Sequence, residues 1–224
     1  MRGLRVLFIV TAVLLMAGMA SGATRAFSDV TGVVETGWSG ELRLPKFDPA
    51  WGTLNSVTLE YGGELTASLA FESRDRRPAQ ITGTVQGLMR FYPTPYHAPN
   101  PFDVTKTFSQ TFAATAYDGV MDFGGTSGHT YDDSNSGLHS GFTGSSDPGI
   151  KTLFSGSGEI VIPWEVSGTA YGSGAGNLVL MTGLLASGDA RVVYEYTPVP
   201  EPSGLLALLP GIAGLVGTLR LRRR

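Results

Sequence analysis

Hydrophobic and polar residues alternate along much of the chain, which is the pattern of strands with one buried face. The alternation is clearest in two consecutive segments, residues 53–61 and 64–72. Their apolar positions are Val57, Leu59 and Tyr61, then Leu65, Ala67, Leu69 and Phe71. Between the segments stand Gly62 and Gly63. Because glycine reaches the positive φ of a primed turn at little cost, this pair predicts a β-hairpin with a two-residue turn.

Further strands are predicted wherever the alternation returns between turn residues: residues 80–91, 104–115, 158–166, 178–185 and 190–197. In the first of these, burial is expected at Ile81, Val85, Leu88 and Phe91. Turns are expected at Arg74–Pro78 and at the proline-rich segment Pro93–Pro101, because proline cannot donate to a ladder. Residues 124–149, rich in Gly, Ser and Asp, are expected to form a long surface loop with one short strand at most. The pattern predicts an all-β fold, an antiparallel β-sandwich.

The amino terminus has the organisation of a secretory signal peptide, residues 1–23. Arg2 and Arg5 supply positive charge ahead of the apolar run Val6–Met19. Small residues follow, and Ser21 and Ala23 fit the positions that a signal peptidase reads, which predicts cleavage after Ala23. Cleavage after Gly22 or Ala26 and an uncleaved amino-terminal anchor are the alternatives.

The carboxyl terminus combines three features within residues 199–224. The triplet Pro200, Glu201 and Pro202 precedes an apolar run, Ser203–Leu219. As a helix this run would be about 25 Å long, close to the ~30 Å hydrocarbon core of a bilayer. The run therefore predicts a transmembrane helix. A cytoplasmic stop is predicted at the basic residues that follow, because charges do not cross a bilayer readily. They are Arg220, Arg222, Arg223 and Arg224.

This carboxyl-terminal arrangement resembles the PEP-CTERM sorting signal of Gram-negative bacteria. The resemblance implies that a membrane transpeptidase of the exosortase type recognises the Pro-Glu-Pro triplet and removes the tail. The implied partners are signal peptidase, the exosortase and, transiently, the inner membrane. A plain tail anchor that is never cut is the alternative.

Composition limits what the segment between the two signals can do. Residues 24–198 suffice for one compact domain with its own core. Between Thr24 and Pro200 there are 10 Lys and Arg against 18 Asp and Glu, a net charge of −8. An acidic surface argues against nucleic acid, whose binding needs a basic footprint. The 224 residues include no cysteine, so thiol chemistry and thiolate metal sites are excluded.

Four short motifs of this domain resemble the choice-of-anchor E domain. They are Phe47–Val57 (FDPAWGTLNSV), Asp122–Gly128 with Ser155–Gly158, Gly174–Leu178, and Val193–Pro198. The resemblance covers residues 27–198 and implies a domain held at the cell surface by whichever anchor its host uses. It brings no catalytic activity and no cofactor. The first motif also has a local reading as a structural corner, in which the Asp48 side chain caps the following turn.

Sequence candidates for chemistry are weak. No G-x-S-x-G elbow occurs, and the three histidines (His97, His129 and His139) fall in predicted loops. Nominal carboxylates for a glycosidase are Asp122, Asp132, Asp133 and Glu165, although any acidic β domain offers such a set. Candidate oxygen ligands for a calcium site of the β-sandwich type are Asp132, Asp133 and Asn135, with Asp147 as a further candidate, and a solvated turn is the alternative. An EF-hand is excluded because its twelfth position, counted from Asp133, is Gly144.

Carbohydrate binding is a further hypothesis, since sugar-binding sandwiches stack aromatic rings on sugars. Aromatic residues in or beside predicted turns are Trp38, Trp51, Tyr92, Tyr96 and Phe102, with His97 in the same loop as two of them. The alternative is that these rings close the ends of the sandwich. Together, the two family resemblances imply an exported, non-enzymatic surface or biofilm-matrix protein associated with exopolysaccharide. A carbohydrate-binding module and a polysaccharide-acting enzyme are the alternatives.

Overall fold

A computed structural model of the chain describes residues 22–98, 100–133 and 136–199. Most of the predicted signal peptide, the Pro-Glu-Pro triplet, the apolar run, the terminal arginines and Asn135 lie outside these residues. The described residues form nine strands: β1 (Ala23–Glu35), β2 (Ser39–Pro45), β3 (Gly52–Ser73), β4 (Ala79–Phe91), β5 (Phe102–Ala114), β6 (Gly128–Asp132), β7 (Ser136–Ser145), β8 (Glu159–Ser173) and β9 (Leu178–Pro198). One helix, α1 (Pro148–Phe154), and one 3-10 turn (Pro49–Trp51) complete them.

The strands form two antiparallel sheets that pack face to face, so the predicted all-β sandwich is confirmed. The first sheet has the order β1-β9-β3, and β6 and β7 both pair with the far side of β3. The second sheet has the order β2-β8-β4-β5. The core lies between the sheets. Its largest fully buried side chains include Tyr61, Tyr194, Phe47, Phe71 and Phe91.

Both ends of the described chain lie at one end of the sandwich, here called the terminal end. Ala23 at the start of β1 pairs with Tyr196, and Val199 still donates its backbone N–H to the Trp51 carbonyl oxygen at 3.2 Å. The opposite end, here called the loop end, carries residues 74–78, 115–127 and 174–177. The 22 residues of β3 run between the two ends, a span of roughly 70 Å at about 3.3 Å per residue.

The predicted hairpin at residues 53–72 is wrong, because these residues form the single strand β3. Gly62 and Gly63 lie in the middle of this strand and pair with β7 on one side and β9 on the other. A Cβ on Gly62 would lie 2.5 Å from the His139 ring, and one on Gly63 would lie 2.5 Å from the Met89 sulfur. The glycines therefore admit close neighbours on the two faces of the sheet.

Three smaller expectations also fail. Residues 124–149 contain β6, β7 and the beginning of α1, since β3 is long enough to pair with both strands. The two strands predicted at 178–185 and 190–197 are one strand, β9. In β4 the inward position is Met89, which is fully buried, and Leu88 faces outward. The turn at Arg74–Pro78 and the proline-rich loop are confirmed as connections between strands.

Three of the four motifs that carry the choice-of-anchor E resemblance lie where strands begin or end, and the fourth, Val193–Pro198, is the last part of β9. Asp48 accepts a hydrogen bond from the Ala50 backbone N–H at 2.8 Å and caps the 3-10 turn, so the corner reading is confirmed. Phe47 is buried beside the Tyr194 and Tyr196 rings. In two other motifs, carboxylates accept hydrogen bonds from loop backbone: Glu72 accepts from the Phe123 N–H at 2.9 Å and Asp75 from the Gly176 N–H at 2.7 Å. Residues of these motifs, or their hydrogen-bond partners, therefore have structural roles at these positions.

Candidate functional site

A shallow, open depression of about 590 Å³ lies on the outer face of the second sheet, near the edge formed by β2. Charged side chains reach this face because strand alternation sends Leu42, Leu44, Ile160 and Ile162 into the core and the residues between them outward. The residues that line the depression are Ser39, Gly40, Glu41, Arg43, Tyr92, Pro163, Trp164 and Glu165.

Arg43 organises one side of the depression. Its Nη1 donates to Glu159 Oε2 at 2.7 Å, and its Nη2 donates to Glu41 Oε2. The hydrogen bonds that Arg43 donates to these two carboxylates raise the pKa of its guanidinium, with the Glu159 bond as the larger cause. The two glutamates are therefore bridged by one cation at the surface.

A second group of side chains continues the polar surface across the sheet. Tyr92 donates its hydroxyl to Glu165 Oε1 at 2.6 Å, and this bond raises the pKa of the tyrosine. Arg90 lies opposite Glu165 in the register and forms two parallel bonds to Asp103, at 2.7 and 2.9 Å. The guanidinium of Arg90 lowers the pKa of Asp103. Such bidentate pairs fix side-chain geometry as well as charge.

This arrangement offers a polar ligand several hydrogen-bond donors and acceptors on one surface. Each carboxylate of the depression accepts a hydrogen bond from a neighbouring guanidinium or phenol. Within the ranges that the structure describes, no three His, Asp or Glu side chains converge in a way that would hold a metal ion.

The calcium candidates are only partly described. Asp133 forms an ion pair with Lys106, and its backbone N–H is bonded to the Ala67 carbonyl oxygen at 3.0 Å. Asp132 pairs with Ser68 at the end of β6, and Asn135 lies outside the described residues. Asp147 is not brought to this group. It caps α1, after β7 has run back along β3 toward the terminal end.

A buried serine and the two histidines of the first sheet, the residue types that nucleophilic hydrolysis needs, have structural partners. Ser127 is fully buried and donates its hydroxyl to Glu72 Oε1 at 2.6 Å. His129 and His139 lie in strands and not in loops as expected. His129 packs between the Phe112 and Tyr131 rings, and His139 is bonded to Asp189 at 2.9 Å.

Trp51 and Tyr96 pack at the terminal end of the sandwich, whereas Phe102 packs on Tyr61 and Phe91 farther along the core. Phe102 is buried, Trp51 packs on Phe27 beneath the Arg25 guanidinium, and Tyr96 packs against Phe154. His97 in the same loop is bonded through Nδ1 to the Tyr61 hydroxyl at 2.8 Å, and burial lowers the pKa of this histidine. Two candidates remain accessible. They are Tyr92 at the depression and Trp38, which is 62% exposed.

Sequence reasoning named Tyr92 and Glu165 separately and missed Glu41, Arg43, Arg90 and Asp103 as their neighbours. Alternation within β2 and β4 places these charges on an outward face, and that signal was present in the sequence. Their proximity depends on the pairing of β2 with β8 and of β4 with β5, which no local pattern specifies.

None of the helices in the described residues is long and apolar enough to cross a membrane. The predicted transmembrane segment, Ser203–Leu219, lies outside those residues.

No protein-family model matches the chain, and no curated protein sequence matches it. Among solved structures, those of infectious bursal disease virus are similar over most of this chain at very low identity. The Gx strain structure is 9% identical, with 79% of this chain and 37% of that chain covered and a TM-score of 0.15. The VP2 subviral particle of the same virus is 10% identical, with 80% and 42% covered and a TM-score of 0.19.

A third similar structure is the VP1 protein of trichodysplasia spinulosa-associated polyomavirus in complex with 3'-sialyllactose. It is 7% identical, with 80% of this chain and 97% of that chain covered and a TM-score of 0.14. This chain spans less than half the length of the bursal disease virus chains that it matches. At TM-scores this low, none of the three similarities carries an argument about this chain.

Proposed function

We propose that this chain is an exported, non-enzymatic surface or extracellular-matrix protein of a Gram-negative bacterium. A signal peptidase removes its leader, the chain is anchored transiently in the inner membrane with its sandwich in the periplasm, and an exosortase processes it at Pro200-Glu201-Pro202. The product is retained at the cell surface or in an exopolysaccharide-containing biofilm matrix. The sorting step rests on the resemblance of residues 199–224 to a PEP-CTERM signal.

The observation that supports this proposal best is the pairing of Ala23 with Tyr196. It brings the predicted cleavage site and the residue before Pro200 to the same end of one folded unit. A chain held in a bilayer through its tail would then present the rest of the sandwich away from the membrane. The opposite loop end would stand roughly 70 Å from the terminal end.

The proposed processing also suits the way in which β9 ends. Backbone bonding continues to Val199, so the triplet follows the folded domain with no intervening linker. Removal of the tail near Pro200 would leave β9 and its partners intact. The folded domain therefore does not need the tail residues for any of its described strand pairings.

The intact mass of the protein recovered from the envelope and medium of its native host tests the proposal. We expect a chain that starts near Thr24 and ends near Pro200-Glu201-Pro202, with or without an added group. Mature membrane-bound protein that retains Arg224 would overturn the sorting proposal and leave a plain tail-anchored domain. The same spectrum identifies the amino-terminal cut, because cleavage after Ala26 would remove four residues of β1 and cleavage after Gly22 would remove none.

A matched pair of variants separates processing from folding. We expect the triple substitution Pro200→Ala, Glu201→Ala, Pro202→Ala to leave the tail on the protein, because the triplet is the proposed recognition element. Pro198→Ala replaces a proline just before the triplet and should be processed as the parent is. Equal processing of both variants would contradict the role of the triplet.

A polysaccharide-acting enzyme remains the rival function. Release of reducing ends from polysaccharide, abolished by Glu165→Gln, would support that rival, because Glu165 is the nominal carboxylate at the depression. We expect no release. The control is Glu60→Gln, which changes an exposed carboxylate on the outer face of the first sheet.

A further inference from the structure

We infer that the outer face of the second sheet, between the charged depression and the loop end, is a binding surface for a neutral polysaccharide chain. This surface, here called the hydroxyl face, consists of the outward positions of residues 82–86 in β4, 105–111 in β5 and 167–173 in β8. The inference deepens the proposed association with exopolysaccharide, and it rests on that proposed function for its setting.

Strand register places these side chains on one surface. In β4 the alternate residues Ile81, Val85 and Met89 are buried in the core, so the even-numbered positions face outward. Pairing of β4 with β5 and β8 then aligns three rows of outward side chains. Hydrogen bonds confirm the alignment, since the Thr82 and Thr111 hydroxyls lie 3.0 Å apart.

The chemistry of the face differs from that of the rest of the domain. Ten of its eleven outward side chains carry a hydroxyl, the other is Gln86, and none carries a charge. The Thr84 hydroxyl is buried and bonded to Ser109, and Leu88 lies between Thr105 and Ser167 at the border of the face. The outer face of the first sheet, by contrast, carries Glu60, Glu64, Asp189 and Arg191. In a domain of net charge −8, an uncharged surface of this extent matches an uncharged partner.

Threonine is a strong strand former, and outward threonines alone therefore have an ordinary explanation. Two observations are not explained by strand propensity. The first is the absence of any Lys, Arg, Asp or Glu from the eleven positions, including those on the edge strand β5, where charges commonly protect against aggregation. The second is Tyr171, whose ring is 56% exposed in the same cross-strand row as Thr84 and Ser109.

These groups match the surface of a sugar chain. Hydroxyls of Ser and Thr both donate and accept hydrogen bonds, as sugar hydroxyls do. An exposed aromatic ring supplies an apolar face on which a sugar ring can stack. Nucleic acid and acidic glycans are disfavoured, because the face offers no cation and the domain around it is acidic. The face extends roughly 20 Å along the strands and about 10 Å across them, which suits an extended chain.

Native gel electrophoresis through a matrix that contains soluble polysaccharide tests the inference on the purified full-length chain, kept in a detergent that has no sugar head group. The probes are dextran, hydroxyethyl cellulose and galactomannan, with alginate as the acidic comparison. We expect retardation by at least one neutral polymer and none by alginate. Retardation by alginate alone, or by no polymer, would overturn the inference.

Variants locate the binding surface. Tyr171→Ala should weaken binding roughly tenfold, the loss expected when one aromatic contact is removed. Thr107→Glu should also weaken binding, because it places a charge within the β5 row of the face. The matched control is Met181→Ala, which removes a side chain that is 55% exposed on the outer face of the first sheet, and its binding should be unchanged.

Urea unfolding midpoints of all three variants show whether a loss of binding reflects a loss of fold. Equal retardation of parent, Tyr171→Ala and Thr107→Glu would overturn the assignment of this face. The assay uses purified chain and needs neither export nor processing. A failure here therefore leaves the intact-mass test of the proposed function unaffected, and a failure of sorting would leave this result unaffected.

Discussion

The imidazole of His139 lies directly over Gly62. It extends from β7 across the central strand β3 to Asp189 in β9, where its Nε2 and the Asp189 Oδ1 are 2.9 Å apart. A Cβ on Gly62 would come within 2.5 Å of both the His139 ring and the Leu138 carbonyl oxygen. A side-chain bridge over three strands therefore depends on the absence of a side chain in the middle strand.

Gly62→Ala should destabilise the fold by about 1–3 kcal/mol, because the added methyl group meets backbone as well as a flexible ring. Urea unfolding measures the change in the free energy of unfolding. The control is Gly176→Ala in a loop, where a Cβ would meet no atom closer than 3.5 Å. Equal effects of the two substitutions would show that Gly62 has no special packing role.

The sequence could have predicted the continuous β3. A two-residue turn at Gly62-Gly63 would pair residue 61 with residue 64, so the apolar positions would change from odd to even numbers. They stay odd, from Val57 through Tyr61 to Leu65 and Phe71. Glycine as a close-packing residue competes with glycine as a turn residue, and the unchanged parity decides between them.

Local sequence patterns could not predict the strands β6 and β7 or the convergence of the candidate site. β6 and β7 contain few apolar residues, and their stability as strands comes from pairing with the long β3, which is a tertiary effect. The side chains of the candidate site come from four different segments of the chain, so their convergence follows from strand order. The predicted core of β3 and β4 was largely right because it depends on alternation alone.

Glu72→Ala should destabilise the protein by about 1–3 kcal/mol, because it would leave buried donors unpaired. Glu72 is fully buried at the loop end, where its two oxygens accept hydrogen bonds from the Phe123 backbone N–H at 2.9 Å and the Ser127 hydroxyl at 2.6 Å. Hydrogen exchange should show faster exchange at Phe123. Glu60→Ala, on an exposed position of the same strand, is the control. Unchanged exchange at Phe123 would contradict the role of Glu72.

Stability should fall in acid, in part through Asp75. Backbone N–H groups of Gly176 and Asn177 and the Asn177 side chain donate to Asp75 and lower its pKa, with the Gly176 bond as the largest cause. A lowered folded-state pKa gives stability that is present above the unfolded value of about 3.9 and is lost as the pH falls through the folded value.

The titration of Asp75 should therefore leave the thermal midpoint nearly unchanged between about pH 7 and pH 5. Below about pH 4, protonation of Asp75 should lower the thermal midpoint. Asp75→Asn should make the acid decline shallower. Asp118→Asn should act in the same direction, because the Val120 backbone N–H lowers the pKa of Asp118. A decline of unchanged slope in both variants would contradict this account.

Asp29→Ala should increase self-association and reduce stability by about 1 kcal/mol. Asp29 lies in β1 and accepts a hydrogen bond at 2.8 Å from the Arg43 backbone N–H, on the side of β2 that does not pair with β8. Loss of this carboxylate would expose an edge donor to a second chain. Sedimentation velocity measures the association. Asp29→Asn, which keeps an acceptor oxygen, should stay closer to the parent, and an equal increase in both variants would point to charge loss instead.

The position of β9 has a mechanical consequence. β9 lies between β1 and β3 and ends beside the proposed attachment point, with the hydroxyl face lying toward the opposite end of the sandwich. A pull between cell and polymer would then act along the strands, at right angles to the hydrogen bonds of an antiparallel ladder. Hydrogen bonds loaded along the strands share the force and must break together. A pull at right angles to the strands would instead break the hydrogen bonds one after another. In such a tether, the domain would yield only at high force.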